Sequence, residues 1–234
     1  VLVVACAPAT LPQPSSGPAA PAAAVTPTPA PPATPTAAAE RPRYGGILSL
    51  VRISEPQMLD PHQEASVATL VFTRPATNSL VQRDPLNEDR IVGDLAKSWN
   101  ISPDGLVYTF NLHQGVKFHN GYPATAADAK YSLERMARPP KGVKSPREML
   151  FRNIERMDAV DPQTLRITLK QPQASLLDIL TMEFNAVLSQ RFIEEQKGNI
   201  TWNLVGTGPF KLKDYIRGVS IEHSKNPDYF VAGR

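Results

Sequence analysis

The chain has 234 residues, 25 of them basic and 22 acidic, for a formal charge of +3. So mild an excess, with no long basic run and no aromatic-interleaved basic motif, argues against nucleic acid as a partner. A single cysteine excludes an intrachain disulfide and a cysteine metal site within these residues.

The opening residues VLVVAC place aliphatic and small residues before Cys6. That order looks like the end of a bacterial lipoprotein signal, with Cys6 as the lipidated residue. Acyl chains hold a membrane by burying methylenes, at about 0.8 kcal/mol each. Residues 1–39 carry no charge, and residues 7–42 hold 11 of the 24 prolines, with many Ala and Thr. Such a segment buries too little apolar surface to offset its ordering entropy, so 7–43 reads as an extended, disordered spacer. The expected organisation is a signal remnant at 1–6, the spacer at 7–43, and a folded part at 44–234.

Residues 44–54, YGGILSLVRIS, read as a first strand of alternating aliphatics. Residues 54–63 form a loop with two prolines. Apolar residues at helical spacing predict a helix over 65–81, broken or kinked at Pro75, which lacks an N–H. Ser102–Gly105 is a strong hairpin turn. After it Tyr108, Phe110 and Leu112 alternate with polar neighbours, giving one apolar sheet face. Thr125 with Asp128 reads as a capping-box-like helix start, and Ala126, Ala129, Leu133 and Met136 share one face of that helix. Glu134 and Arg135 read as its solvated side. The basic residues at 138–147 read as an exposed loop. A hairpin around Asp161–Gln163, a short helix at 174–180, a short strand at 186–188 and a helix capped by Ser189 follow. The glycine-rich turn VGTGPF at 205–210 leads into strands at 210–216 and 219–223. Strands and helices interleave without strict repetition, so the class is α/β with a mixed sheet and flanking helices.

Six pieces in order carry a resemblance: GGILSLVR at 45–52, EPQMLDPHQ at 55–63, DLAKSWNISPDGLVYTFNLHQGVKFHNG at 94–121, TAADAKYSLER at 125–135, VGTGPFKL at 205–212 and NPDYF at 226–230. Together they resemble the extracytoplasmic solute-binding proteins of family 5. The resemblance implies the first lobe of a periplasmic-binding-protein-like (type II) clamshell, truncated before the second lobe. It implies a peptide as solute, an ABC permease and ATPase as partners, an extracytoplasmic location through the lipid anchor, a monomer, and no cofactor. Nickel, opine or oligosaccharide ligands also occur within such a family. A chain lacking the other lobe is expected to bind solute weakly and to aggregate through an open sheet edge.

The loop Glu55, Pro56, Gln57 and Met58 follows the first expected strand, and ligands in open α/β sheets gather at such strand ends. Gly206, Thr207 and Gly208 form the second candidate contact, because two glycines permit close backbone approach. Tyr108, Phe110 and Trp99 read as core, and Asp104 and Gly105 as turn chemistry. The four histidines, 62, 113, 119 and 223, show no metal-ligand spacing, and His113 and His119 are expected at the surface. No catalytic residue is assigned: there is no G-x-S-x-G elbow and no H-E-x-x-H, so an enzyme is disfavoured. A cell-surface scaffold on a Pro/Ala/Thr stalk is the other alternative.

Overall fold

A computed structural model describes residues 45–64 and 66–231. Cys6 and the spacer at 7–43 lie outside the described residues. The described residues from Leu50 onward form one compact unit. The strand expected over 44–54 does not form: residues 45–54 are in neither helix nor strand, and Leu50, Val51 and Ile53 stand exposed. The alternation is present, but a strand also needs a neighbour to take its N–H and C=O groups. None of the ladders among the described residues includes this segment.

The helix expected over 65–81 is cut short where the proline demands it. Helix α1 spans Val67–Thr73, with the Ser66 hydroxyl accepting from the Thr69 N–H at its start. A 3-10 turn, Arg74–Ala76, carries Pro75. The chain then enters β1 (Val81–Asp84), which pairs antiparallel with β2 (Asn87–Gly93). This hairpin has no signal in the sequence, because the first four residues of β2 are polar and exposed.

The central sheet holds β3 (Ala96–Ile101), β4 (Val107–Leu112), β5 (Ile154–Asp161) and β6 (Thr164–Leu169), in the order β3-β4-β6-β5. The Ser102–Gly105 turn joins β3 to β4, as its residues predict. Tyr108, Phe110 and Leu112 of β4 lie buried beside Leu165, Ile167 and Leu169 of β6, in the register Phe110↔Leu165 and Tyr108↔Ile167. Helix α2 (Ala126–Ala137) covers this face with Ala126, Ala129, Leu133 and Met136. Its start is fixed by the Asp128 carboxylate, which accepts from the Thr125 N–H at 2.9 Å. Each large apolar side chain so buried contributes about 1.5–3 kcal/mol. Trp99 packs half-buried against this core.

Beyond the sheet come α3 (Leu176–Leu180), α4 (Gln190–Glu195) and an antiparallel hairpin of β7 (Phe210–Ile216) and β8 (Ser220–Lys225). The short strand expected at 186–188 is a buried extended connection instead. Its N–H groups go to a loop carbonyl and a side chain: Val187 donates to the Asn78 carbonyl at 2.8 Å, and Leu188 to the Ser132 hydroxyl at 2.9 Å. Leu59, Ala76, Ala186, Leu188, Ile193 and Leu204 form a second, smaller core beside it. The architecture is mixed α/β, and every strand pairing among the described residues is antiparallel.

Candidate functional site: a loop and a glycine turn on a buried polar scaffold

The 55–64 loop is fixed point by point. The Glu55 carboxylate accepts from the Tyr215 hydroxyl at 2.6 Å and the Gly218 N–H at 2.7 Å, both on the β7–β8 hairpin. The Tyr215 bond, then the Gly218 N–H, hold this exposed carboxyl below its ordinary range. Pro56 is buried and Gln57 is exposed. Met58 is half-buried, and its carbonyl accepts from the Thr69 hydroxyl at 2.8 Å. Leu59 is fully buried and donates its N–H to the Thr201 carbonyl at 2.6 Å. Of the four predicted contacts, Glu55 is therefore tied to the hairpin, Pro56 is packed away, and Gln57 and Met58 reach solvent.

Below the loop lies a buried ion pair that the sequence reading missed. Arg135 is 2% exposed, not on a solvated helix side as expected. Its guanidinium grips Asp60 through both terminal nitrogens, at 2.9 and 2.6 Å. Such bidentate, charge-assisted pairing offsets the cost of taking a guanidinium out of water. Burial pushes the Asp60 carboxyl up, but the bonds and charge of Arg135, with the Gln63 amide, outweigh it and hold it below the ordinary range. The same guanidinium lies 3.2 Å from Nδ1 of His62, whose Nε2 is 2.8 Å from the Ala186 carbonyl. A guanidinium only donates, so Nδ1 accepts and Nε2–H donates to Ala186. Burial lowers the His62 pKa to about 4, so the ring is neutral. Arg147, on the loop expected to be exposed, is half-buried. It donates to the Glu64 carbonyl at 2.8 Å and lies 4.2 Å over the Phe184 ring.

A signal for this scaffold is in the sequence. Asp128, Ser132 and Arg135 recur at i, i+4 and i+7, a polar stripe beside the apolar one. All three are buried. Asp128 accepts from the Gln190 N–H at 3.0 Å, Ser132 accepts from Leu188, and Arg135 holds the Asp-Pro-His loop. One stripe thus pins both the 186–190 connection and the candidate loop onto α2.

Gly206, Thr207 and Gly208 are all buried, where they run against the 3-10 turn. A Cβ on Gly206 would lie 2.0 Å from the Ala76 carbonyl oxygen, and one on Gly208 would lie 2.5 Å from the Ala76 carbonyl carbon. Only glycine permits that approach. The Gly208 N–H donates to Ala76 at 3.0 Å, and the Thr207 hydroxyl donates to Asn78 at 2.9 Å. Asn78 in turn donates to Asp94 at 2.6 Å. A cavity of about 200 Å³ opens beside this turn, with Asn78, Asp94 and Tyr229 in its wall and the Arg74–Glu183 ion pair among its lining. His119, expected at the surface, is half-buried under the turn, while the His113 ring lies tilted against Phe230 at 5.2 Å. Among the described residues no three His, Cys, Asp or Glu side chains gather as a metal site, and no helix is long and apolar enough to cross a membrane.

Residues 90–234 match the family described as bacterial extracellular solute-binding proteins, family 5 middle. The chain belongs to that family. Among curated relatives, the glutathione-binding protein GsiB of Salmonella typhi is 32% identical over 175 residues, covering 75% of this chain and 33% of the relative. Di/tripeptide-binding protein 2 of Pseudomonas aeruginosa strain UCBPP-PA14 is 33% identical over 204 residues, covering 78% of this chain and 38% of the relative. Among solved structures, the periplasmic binding protein AgaA from A. tumefaciens R10, in complex with agropinic acid, superposes with a TM-score of 0.71 at 29% identity. That match covers 76% of this chain and 35% of AgaA. The family 5 chain therefore spans about a third of the length of the relatives it matches.

Proposed function

We propose that this family 5 chain belongs to the solute-binding component of an ABC importer, capturing di- and oligopeptides outside the cytoplasmic membrane and delivering them to the permease. The observation that carries this is the pair of relatives at 32 and 33% identity, one named for glutathione and the other for di- and tripeptides. An opine ligand is the second reading, favoured by the likeness to AgaA bound to agropinic acid. The protein is held at the membrane by a lipid on Cys6, acts as a monomer and catalyses no reaction. Solute contact falls on the 55–58 loop, chiefly through Gln57 and Met58, with Gly206–Gly208 setting the height of the neighbouring backbone.

Capture works by closure: a second wall swings over the bound solute, and the closed population is the one that docks on the permease. A loop that presents the first wall must keep its shape while the other moves. The Arg135–Asp60–His62 cluster supplies that rigidity, because breaking it strands a charge away from water. Calorimetric titration with a mixed di- and tripeptide set, and separately with agropinic acid, tests the assignment. Saturable heat with peptide, and peptide recovered intact, is expected. Heat with agropinic acid alone moves the assignment to opines. Cleaved peptide contradicts a binding role.

A further inference from the structure

His119 lies on the connection between β4 and α2 and meets the Gly206–Gly208 turn three times. Its backbone N–H donates to the Gly206 carbonyl at 2.9 Å. Its ring Nε2 lies 3.0 Å from the Gly208 carbonyl oxygen. The Gly206 N–H points at its Nδ1 from 3.4 Å. A carbonyl only accepts and an amide N–H only donates, so these two ring contacts fit a single tautomer, with Nε2 protonated and Nδ1 bare. A proton added at Nδ1 would set donor against donor.

The turn has little freedom to adjust. On its other side Gly206 and Gly208 already touch the Ala76 backbone too closely for any Cβ, and the Asn226 side chain donates to the same Gly208 carbonyl at 3.0 Å. The other groups that act on the ring are basic: Lys211 on β7 and His223 on β8. Burial first, then these two, oppose a second proton, and only the Gly208 carbonyl favours it. His223 donates to the Phe72 backbone, and its Nε2 is buried without a hydrogen-bond partner among the described residues.

We propose that His119 is a positioning residue: its neutral ring holds the Gly206–Gly208 turn against Ala76, and charging that ring in acid releases the turn and weakens solute capture. The link to capture rests on the assignment of this turn to the solute site; the clamp itself does not.

The test is an NMR study of the isotope-labelled full chain from neutral pH downward, past the range in which free imidazoles charge, until the His119 ring takes its proton; a ring still neutral when the chain unfolds overturns the acid release. Ring nitrogen shifts report the tautomer and the proton. Hydrogen exchange at Gly206 and Gly208, corrected for its intrinsic pH dependence and referenced to Phe110 and Ile167, reports the clamp. The expected result is an Nε2–H tautomer and a loss of protection at the two glycines of roughly tenfold as the ring charges, the factor an ordinary hydrogen bond carries. His119→Ala should show the low protection already at neutral pH. If that variant does not fold, His119→Gln and the wild-type ring titration still decide. His223→Gln should keep the acid response. An Nδ1–H tautomer, or unchanged glycine protection while the ring takes its proton, overturns the proposal. Glutathione and trialanine at millimolar concentration then probe capture through amide shifts at neutral pH and at the pH where the ring is charged. Weaker binding in acid for wild type but not for His119→Gln supports the link. Equal binding overturns it. Binding at neither pH overturns the assignment of the solute site, and the link with it, while the exchange result still judges the clamp.

Discussion

Replacing Arg135 with Met removes the guanidinium from the buried pair and keeps most of its volume. Asp60 is 0% exposed and would then face the interior with the His62 N–H and the Gln63 amide as its remaining donors. Losing one partner of such a pair costs about 3–5 kcal/mol, because the other charge is left uncompensated. That is a large part of the 5–15 kcal/mol or so that holds a domain folded. Urea denaturation followed by tryptophan fluorescence reads the loss. The double variant Asp60→Asn, Arg135→Met no longer strands a charge, so it should recover about 2 kcal/mol relative to Arg135→Met alone. A cost under about 1 kcal/mol for the single variant, the range of a solvent-exposed ion pair, would show that Asp60 and Arg135 meet in water and would remove the rigid base claimed for the loop.

His62 makes the fold acid-sensitive. Its folded pKa is lowered to about 4, so between that value and the ordinary one of about 6.5 the unfolded chain binds a proton that the folded chain refuses. Stability should be full above this window and fall by about 3 kcal/mol as pH drops through it. Denaturation midpoints measured across the window check the slope, and His62→Gln should flatten it. Gly206→Ala would place a Cβ 2.0 Å from the Ala76 oxygen. Overpacking of that kind costs about 1–3 kcal/mol or more, readable as a lowered melting midpoint; an unchanged midpoint would mean that the turn is free to move. Thr125→Ala removes the cap residue of α2 and should cost about 1 kcal/mol by the same assay. Tyr215→Phe deletes one of the two donors to Glu55 and should raise hydrogen exchange at the Gly218 amide while leaving the midpoint in place, since the tie is at the surface.

Local rules made much of the fold legible. The Ser102–Gly105 turn, the alternation through Tyr108, Phe110 and Leu112, the Thr125–Asp128 helix start and the break at Pro75 each depend on neighbours within a few residues, and each is found where the sequence puts it. The failures concern partners far along the chain. The aliphatic run at 45–54 has the pattern of a strand but no ladder among the described residues. Arg135 looks like surface until its partner Asp60, 75 residues earlier, is placed beside it. His119 has no metal-ligand spacing, and its role depends on two carbonyls and an N–H some 87 to 89 residues away. Of the candidate site, the two segments are proposed from a position after an expected strand and from paired glycines, whereas the buried polar stripe of Asp128, Ser132 and Arg135 that holds the loop was not read. A helical polar stripe beside an apolar one reads as solvated until something covers it.

The most direct measurement is a map of where peptide touches the chain. Amide shifts of the labelled protein, recorded as di- and tripeptides are added, should move at Gln57, Met58 and Gly206–Gly208, and the peptides should be recovered uncut. Shifts confined to surfaces away from both segments, or no residue-specific shifts for any peptide, would contradict the assignment of this face to solute capture.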